Sequence, residues 1–196
     1  MLRATFITLL AVSAIGCTKK DTPLPDFTGD VRMVAPFVTD QPITNGKLYM
    51  SKGRLRVELG TMVDLFSVRR QKGWRMFPEE KQYIPITGQK QVSTYLPSMT
   101  NGSPCPSAER PSECKMVGKE EIEGRSSTKW ELVNHNGVHV FLWTDDKLQI
   151  AVRWRIENVT YELMRIHEQE VADDLFNLPP GYTEMPTKGT FLEKMK

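Results

Sequence analysis

Alternation of apolar and polar residues with a period of two runs through most of this chain and decides what it can fold into. In Arg54-Leu55-Arg56-Val57-Glu58-Leu59 the apolar residues fall on one side and the charges on the other, the pattern of a half-buried strand. Residues 46–50 run through Ser51-Lys52-Gly53 into this segment, so the two form a hairpin with a short glycine-bearing turn. Strands over 63–70, 73–77 and 81–86 follow, separated by Gln71-Lys72-Gly73 and Pro78-Glu79-Glu80. Further on, strands over 128–133 and 138–144 flank His135-Asn136-Gly137, and Asn-Gly is a strong hairpin signal. Asp145-Asp146-Lys147 then turns into 149–157, where Ile150, Val152, Trp154 and Ile156 alternate with Arg153, Arg155 and Glu157, and a last strand covers 161–168.

With the strand that opens at Phe27, this makes about ten strands joined by short connections. Short connections force antiparallel neighbours, and a sheet of this size curls. The predicted fold is all-β with minor helix: a single antiparallel, strongly curved open β-barrel. Helical spacing occurs in 89–96, where Val92, Tyr95, Leu96 and then Met99 recur at i, i+3, i+4, i+7, and Pro97 limits the helix to two turns. Residues 172–176 read as a short helical turn. Strand 138–143 is apolar on both faces, with Val138, Val140 and Leu142 on one and Phe141 and Trp143 on the other. Such a strand is covered on both sides. The second cover is either a small second core or an apolar cavity wide enough for an acyl chain.

The N-terminus sets the location. Arg3 precedes an apolar stretch from Phe6 to Ile15, long enough for a signal-peptide core and well short of the ~20 residues of a spanning helix. Ala14-Ile15-Gly16-Cys17 resembles the bacterial lipobox, with Ala14 where Leu is commoner. That resemblance implies cleavage after Gly16 and diacylation of Cys17, hence a membrane anchor of lipid alone, since each buried methylene adds ~0.8 kcal/mol. Residues 1–16 are then signal peptide, 17–26 a polar tether, 27–185 the folded domain and 186–196 a flexible tail. The mature chain carries 25 basic side chains (26 less Arg3) against 24 acidic ones, interspersed in sign. This balance points away from nucleic acid as a partner.

Cys105 and Cys114 remain, in a loop rich in Pro, Gly and Ser. Two cysteines in an exported chain favour a disulfide, and their spacing does not suit a CxxC metal site. His135, His139 and His167 read as surface residues, and Glu120, Glu121 and Glu123 as a solvated strand edge or turn. No nucleophile elbow, phosphate loop or HExxH motif occurs. The sequence therefore predicts no catalytic residues, no metal and no cofactor.

Several segments together carry a family resemblance: Phe27-Thr28-Gly29-Asp30-Val31-Arg32-Met33, the hairpin over 46–58, the stretch over 69–83, and Phe176-Asn177-Leu178-Pro179-Pro180-Gly181-Tyr182. In this order they resemble the LolA-like lipoproteins, relatives in fold of the lipoprotein carrier LolA and its receptor LolB. The resemblance spans about Phe27 to Tyr182. It implies a curved open barrel whose apolar concave face takes lipid or lipoprotein acyl chains, with helices at the mouth. This chain departs there, offering one helix candidate where the carriers have several.

The expected function is a non-catalytic, membrane-anchored periplasmic lipoprotein that binds acyl chains. The alternative is a structural or protein-interaction envelope lipoprotein of the same fold whose interior is filled by its own side chains. Segment 89–114 is expected over the mouth, with Val92, Tyr95, Leu96 and Met99 facing inward. Opposite them are placed Leu55, Val57, Trp74, Met76, Val152 and Trp154, an assignment of faces that a one-residue slip would reverse. Thr18 after the cysteine, by analogy with enteric sorting, favours the outer membrane.

Overall fold

The computed structural model describes residues 24–37, 43–87, 114–133 and 137–186. The chain forms one curved, unclosed sheet. Its strands are β1 (Phe27–Val34), β2 (Ile43–Ser51), β3 (Arg54–Leu59), β4 (Met62–Ser67), β5 (Lys72–Phe77) and β6 (Gln82–Thr87), then β7 (Cys114–Ile122), β8 (Arg125–Val133), β9 (His139–Asp145), β10 (Ala151–Ile156), β11 (Val159–His167) and β12 (Thr183–Glu184). Their order across the sheet is β12-β6-β5-β4-β3-β2-β1-β11-β10-β9-β8-β7. Each neighbouring pair is antiparallel except β12 with β6, which is parallel. Two strands exceed the expected ten: β7, whose acidic end reads as solvated, and the two-residue β12.

Turn chemistry explains the tight hairpins. Between β2 and β3, Lys52 (φ 52°) and Gly53 (φ 72°) are both left-handed, and so are Glu123 (φ 51°) and Gly124 (φ 74°) between β7 and β8. Two consecutive left-handed residues match the right-handed strand twist, and glycine occupies the second position without steric cost.

Register carries one apolar face across the sheet. Leu48 faces Val57, Met50 faces Leu55, and Leu55 faces Phe66. In the other direction Phe27 faces Met50, Val31 faces Leu163, Tyr161 faces Trp154, Trp154 faces Leu142 and Leu142 faces Trp130. Phe27, Leu48, Met50, Leu142, Trp154 and Leu163 are fully buried and belong to a single cluster. Each such side chain contributes ~1.5–3 kcal/mol by leaving water, so this face is the main source of stability.

The C-terminal segment straps the opposite face. Val63, Leu65 and Met76 project there and meet Tyr83, Leu178 and Tyr182 in a second, smaller cluster. A 3-10 turn, Asp173–Phe176, sits over β3: the Arg54 guanidinium lies 4.7 Å from the centre of the Phe176 ring, and Arg56 Nη1 donates to the Leu175 carbonyl at 3.0 Å. β12 then joins the β6 edge, where Thr183 N donates to the Lys81 carbonyl (3.0 Å) and Met185 N to that of Tyr83 (2.8 Å). Nearer the N-terminus, Leu24 packs on the main core and Asp26 accepts the Lys52 N–H at 2.8 Å.

Candidate functional site

The apolar face is the candidate site, and the expected lining divides over it. Leu55, Val57 and Trp154 lie on this face, all buried. Val152 is buried in the same cluster at a register shift between Ala151 and Arg153. Trp74 and Met76 require correction. Val57 faces Asp64 and Asp64 faces Arg75, so the apolar-face positions of β5 are Gly73, Arg75 and Phe77. Trp74 and Met76 project the other way, where Met76 packs under the C-terminal strap and Trp74 stays exposed. Val92, Tyr95, Leu96 and Met99 lie outside the described residues, as do Cys17 and Cys105. Cys114 opens β7 opposite Leu132.

Two charges occupy the apolar face where the sequence suggested none. Arg75 donates from Nε to Asp64 Oδ1 at 2.8 Å and from Nη2 to Oδ2 at 2.7 Å, a bidentate pair between β4 and β5. The Asp64 side chain is only 7% exposed and that of Arg75 28%. Each is embedded in an apolar strand, Val63-Asp64-Leu65 and Trp74-Arg75-Met76, and that matched interruption is the signal in the sequence. Tyr161, also on this face, stacks on Trp154 with ring centres 5.0 Å apart and planes 9° from parallel. Burial raises its phenol pKa above 10.

Among the described residues, cations from the neighbouring strands β8 and β10 cover the opposite face of β9. Lys129 on β8 stands 4.8 Å from the centre of the Trp143 ring and 5.8 Å from that of Phe141. Arg153 on β10 stands 5.7 Å from the Trp143 ring and Arg155 4.7 Å from that of Phe141. Trp143 Nε1 donates to Glu120 at 2.8 Å, and Lys129 Nζ reaches the same carboxylate at 3.0 Å. The hydrogen bond from Lys129, followed by that from Trp143, holds the Glu120 pKa below the ordinary value. Cross-strand cations thus cover the aromatic pair, using side chains whose stems are apolar. A shallow depression of about 310 Å³ lies on this face, lined by Val138, His139, Phe141, Arg155 and Glu157.

Among the described residues no group of three or more His, Cys, Asp or Glu is placed to hold a metal, and no helix is long and apolar enough to cross a membrane. The apolar face, among the described residues, presents closely packed hydrocarbon side chains interrupted by the Asp64–Arg75 ion pair.

No protein-family model matches the chain, and no curated protein matches it in sequence. Solved structures do match in shape. An uncharacterized conserved protein from Thermus thermophilus superposes with a TM-score of 0.55 at 8% identity, over 83% of this chain and 90% of that one. PNGF-II superposes with a TM-score of 0.54 at 8% identity, over 87% of this chain but only 33% of PNGF-II, so the present chain spans a third of that protein. MucB follows with a TM-score of 0.49 at 11% identity, covering 83% of this chain and 60% of MucB. At such identities the likeness is one of fold.

Proposed function

We propose that this protein is a non-catalytic bacterial envelope lipoprotein, anchored through Cys17 and binding the acyl chains of a lipid or lipoprotein against the apolar face of its open sheet. The observation that carries the reading is the continuous apolar face on a sheet that does not close. Topology adds to it: β6 and β7 are consecutive among the described strands yet sit toward opposite ends of the sheet, so Thr87 and Cys114 lie near its two edges. A segment joining them is suited to lie over the mouth, with Val92, Tyr95, Leu96 and Met99 supplying apolar contacts. Affinity comes from burying methylenes at ~0.8 kcal/mol each, with no bond made or broken.

One observation favours a second reading, a structural or protein-interaction module with a self-filled interior: Phe27, Leu48, Met50 and Trp154 already have no exposed surface. Organic extraction of the purified full-length protein followed by lipid mass spectrometry separates the two. A bound acyl lipid in near-stoichiometric amount, and an apolar fluorescent probe whose binding is weakened by Leu96→Asp, are expected. An empty extract and no probe binding would establish the self-filled module. Labelling with a fatty-acid analogue tests the anchor: wild type is marked, Cys17→Ala is not, and equal labelling of both refutes lipidation at Cys17.

A further inference from the structure

The two ends of the sheet are finished differently. On one side β12 lies along Gln82 and Tyr83 of β6, and Pro85 has no N–H to offer a new strand. On the other side is β7, nine residues long, paired with β8 and with no second neighbour among the described residues. Met116 and Val117, beside its register shift, are 61% and 49% exposed. A strand edge that meets no described neighbour and carries exposed apolar side chains is a template for pairing unless it is blunted. A bulge and lysines are common blunting devices, but Lys119 is paired with Asp146 on the other face, and Lys115 takes part in an ordered charge pattern that ends at this edge.

That pattern runs across the strap-free half of the polar face. In one row Arg32 (β1) pairs with Glu162 (β11), Glu162 with Arg153 (β10), Arg153 stands over Trp143 (β9), Lys129 (β8) covers its ring, and Lys129 pairs with Glu120 on β7. The neighbouring row runs from Arg155 over Phe141 to Glu131, which pairs with Lys115 on β7. One row ends at the edge on a carboxylate and the other on an ammonium. The register shift at Val117 puts Lys115 and Glu120 on the same face of the sheet, although they are five residues apart.

We propose that the β7 edge is the interface with a second copy of this chain, paired antiparallel about a two-fold axis. Antiparallel pairing in the register that sets Lys115 opposite Glu120 of the other copy also sets Glu120 opposite Lys115. Both rows then continue with alternating sign into the second molecule, and the exposed Met116 and Val117 are covered. Isologous pairing needs such self-complementarity, which β7 has in its own sequence.

Charge-reversal variants of the full-length protein, measured by sedimentation in detergent micelles, test the proposal. Wild type is expected to be a concentration-dependent dimer. Lys115→Glu makes both members of the Lys115/Glu120 pair acidic and Glu120→Lys makes both basic, so each variant alone should self-associate about tenfold more weakly or worse. An equimolar mixture of the two should recover the dimer. Zero-length carbodiimide coupling of wild type needs no variant: it should join Lys115 of one copy to Glu120 of another, identified from mixed isotope-labelled protein by mass spectrometry. Wild type that stays monomeric, a dimer indifferent to both reversals, or cross-links that map elsewhere would overturn it.

Discussion

Arg75 meets Asp64 through both Nε and Nη2, at 2.8 and 2.7 Å, on the face of the sheet that otherwise buries hydrocarbon. Burying this pair costs desolvation that the two hydrogen bonds offset only while both partners are present.

Removing one partner is therefore worse than removing both. Asp64→Ala removes the bidentate acceptor of the partly buried Arg75 guanidinium and is expected to destabilise the fold by about 2–3 kcal/mol, the partial exposure of Arg75 keeping the loss from being larger. Asp64→Leu combined with Arg75→Met should recover most of it. Urea denaturation of the single and double variants measures the difference.

Gly73 sits where β5 passes close to β4. A Cβ added there would come within 1.9 Å of the Leu65 carbonyl oxygen and 2.8 Å of the Phe66 Cα, so neighbouring backbone would have to shift. Gly73→Ala is expected to cost more than ~2 kcal/mol. At Gly118 nothing lies within 4 Å, and Gly118→Ala should stay within about 0.5 kcal/mol of wild type. Thermal or urea midpoints of both variants provide the check.

Asp146 accepts hydrogen bonds from Thr128 Oγ1 (2.6 Å), Lys119 Nζ (2.9 Å) and Ser126 Oγ (2.8 Å), and these, that of Thr128 foremost, lower its pKa from 3.8 to about 2. A carboxylate whose pKa is depressed on folding contributes stability above its unfolded value and loses it as pH falls through the folded one. The Asp146 contribution should be complete above about pH 4 and disappear toward pH 2. Carboxyl chemical shifts during acid titration report the pKa directly. The stability difference between wild type and Asp146→Asn should narrow over the same window.

Cys105 and Cys114 are expected to be joined in the exported protein. The thiols should resist alkylation until reductant is added, and Cys114→Ser should lower stability by up to ~3 kcal/mol, the chain-entropy value for a loop of this size. Two thiols that react freely before reduction would refute the pairing.

Local pattern accounts for much of this fold. Leu55, Val57 and Leu59 are buried in β3 while Arg54, Arg56 and Glu58 are less so, as their alternation requires. Residues 172–176 do contain a short helical turn. The same logic misassigned β5, because Trp74 and Met76 look like a core face until the register places Arg75 opposite Asp64. It left β7 unread because Lys119-Glu120-Glu121 has no apolar alternation, and the side chains that settle Glu120 come from β8 and β9.

By itself the sequence determined the class of structure: periodicity and turn residues act over a few positions and favour short antiparallel strands. It also determined that Phe141 and Trp143 must be covered. Tertiary structure alone decided what covers them, cations from β8 and β10, and which face of β5 joins the core. The physical reason is parity. Adjacent side chains in a strand point to opposite faces, so a single unit of register, fixed by distant partners and by bulges, reverses which residues meet.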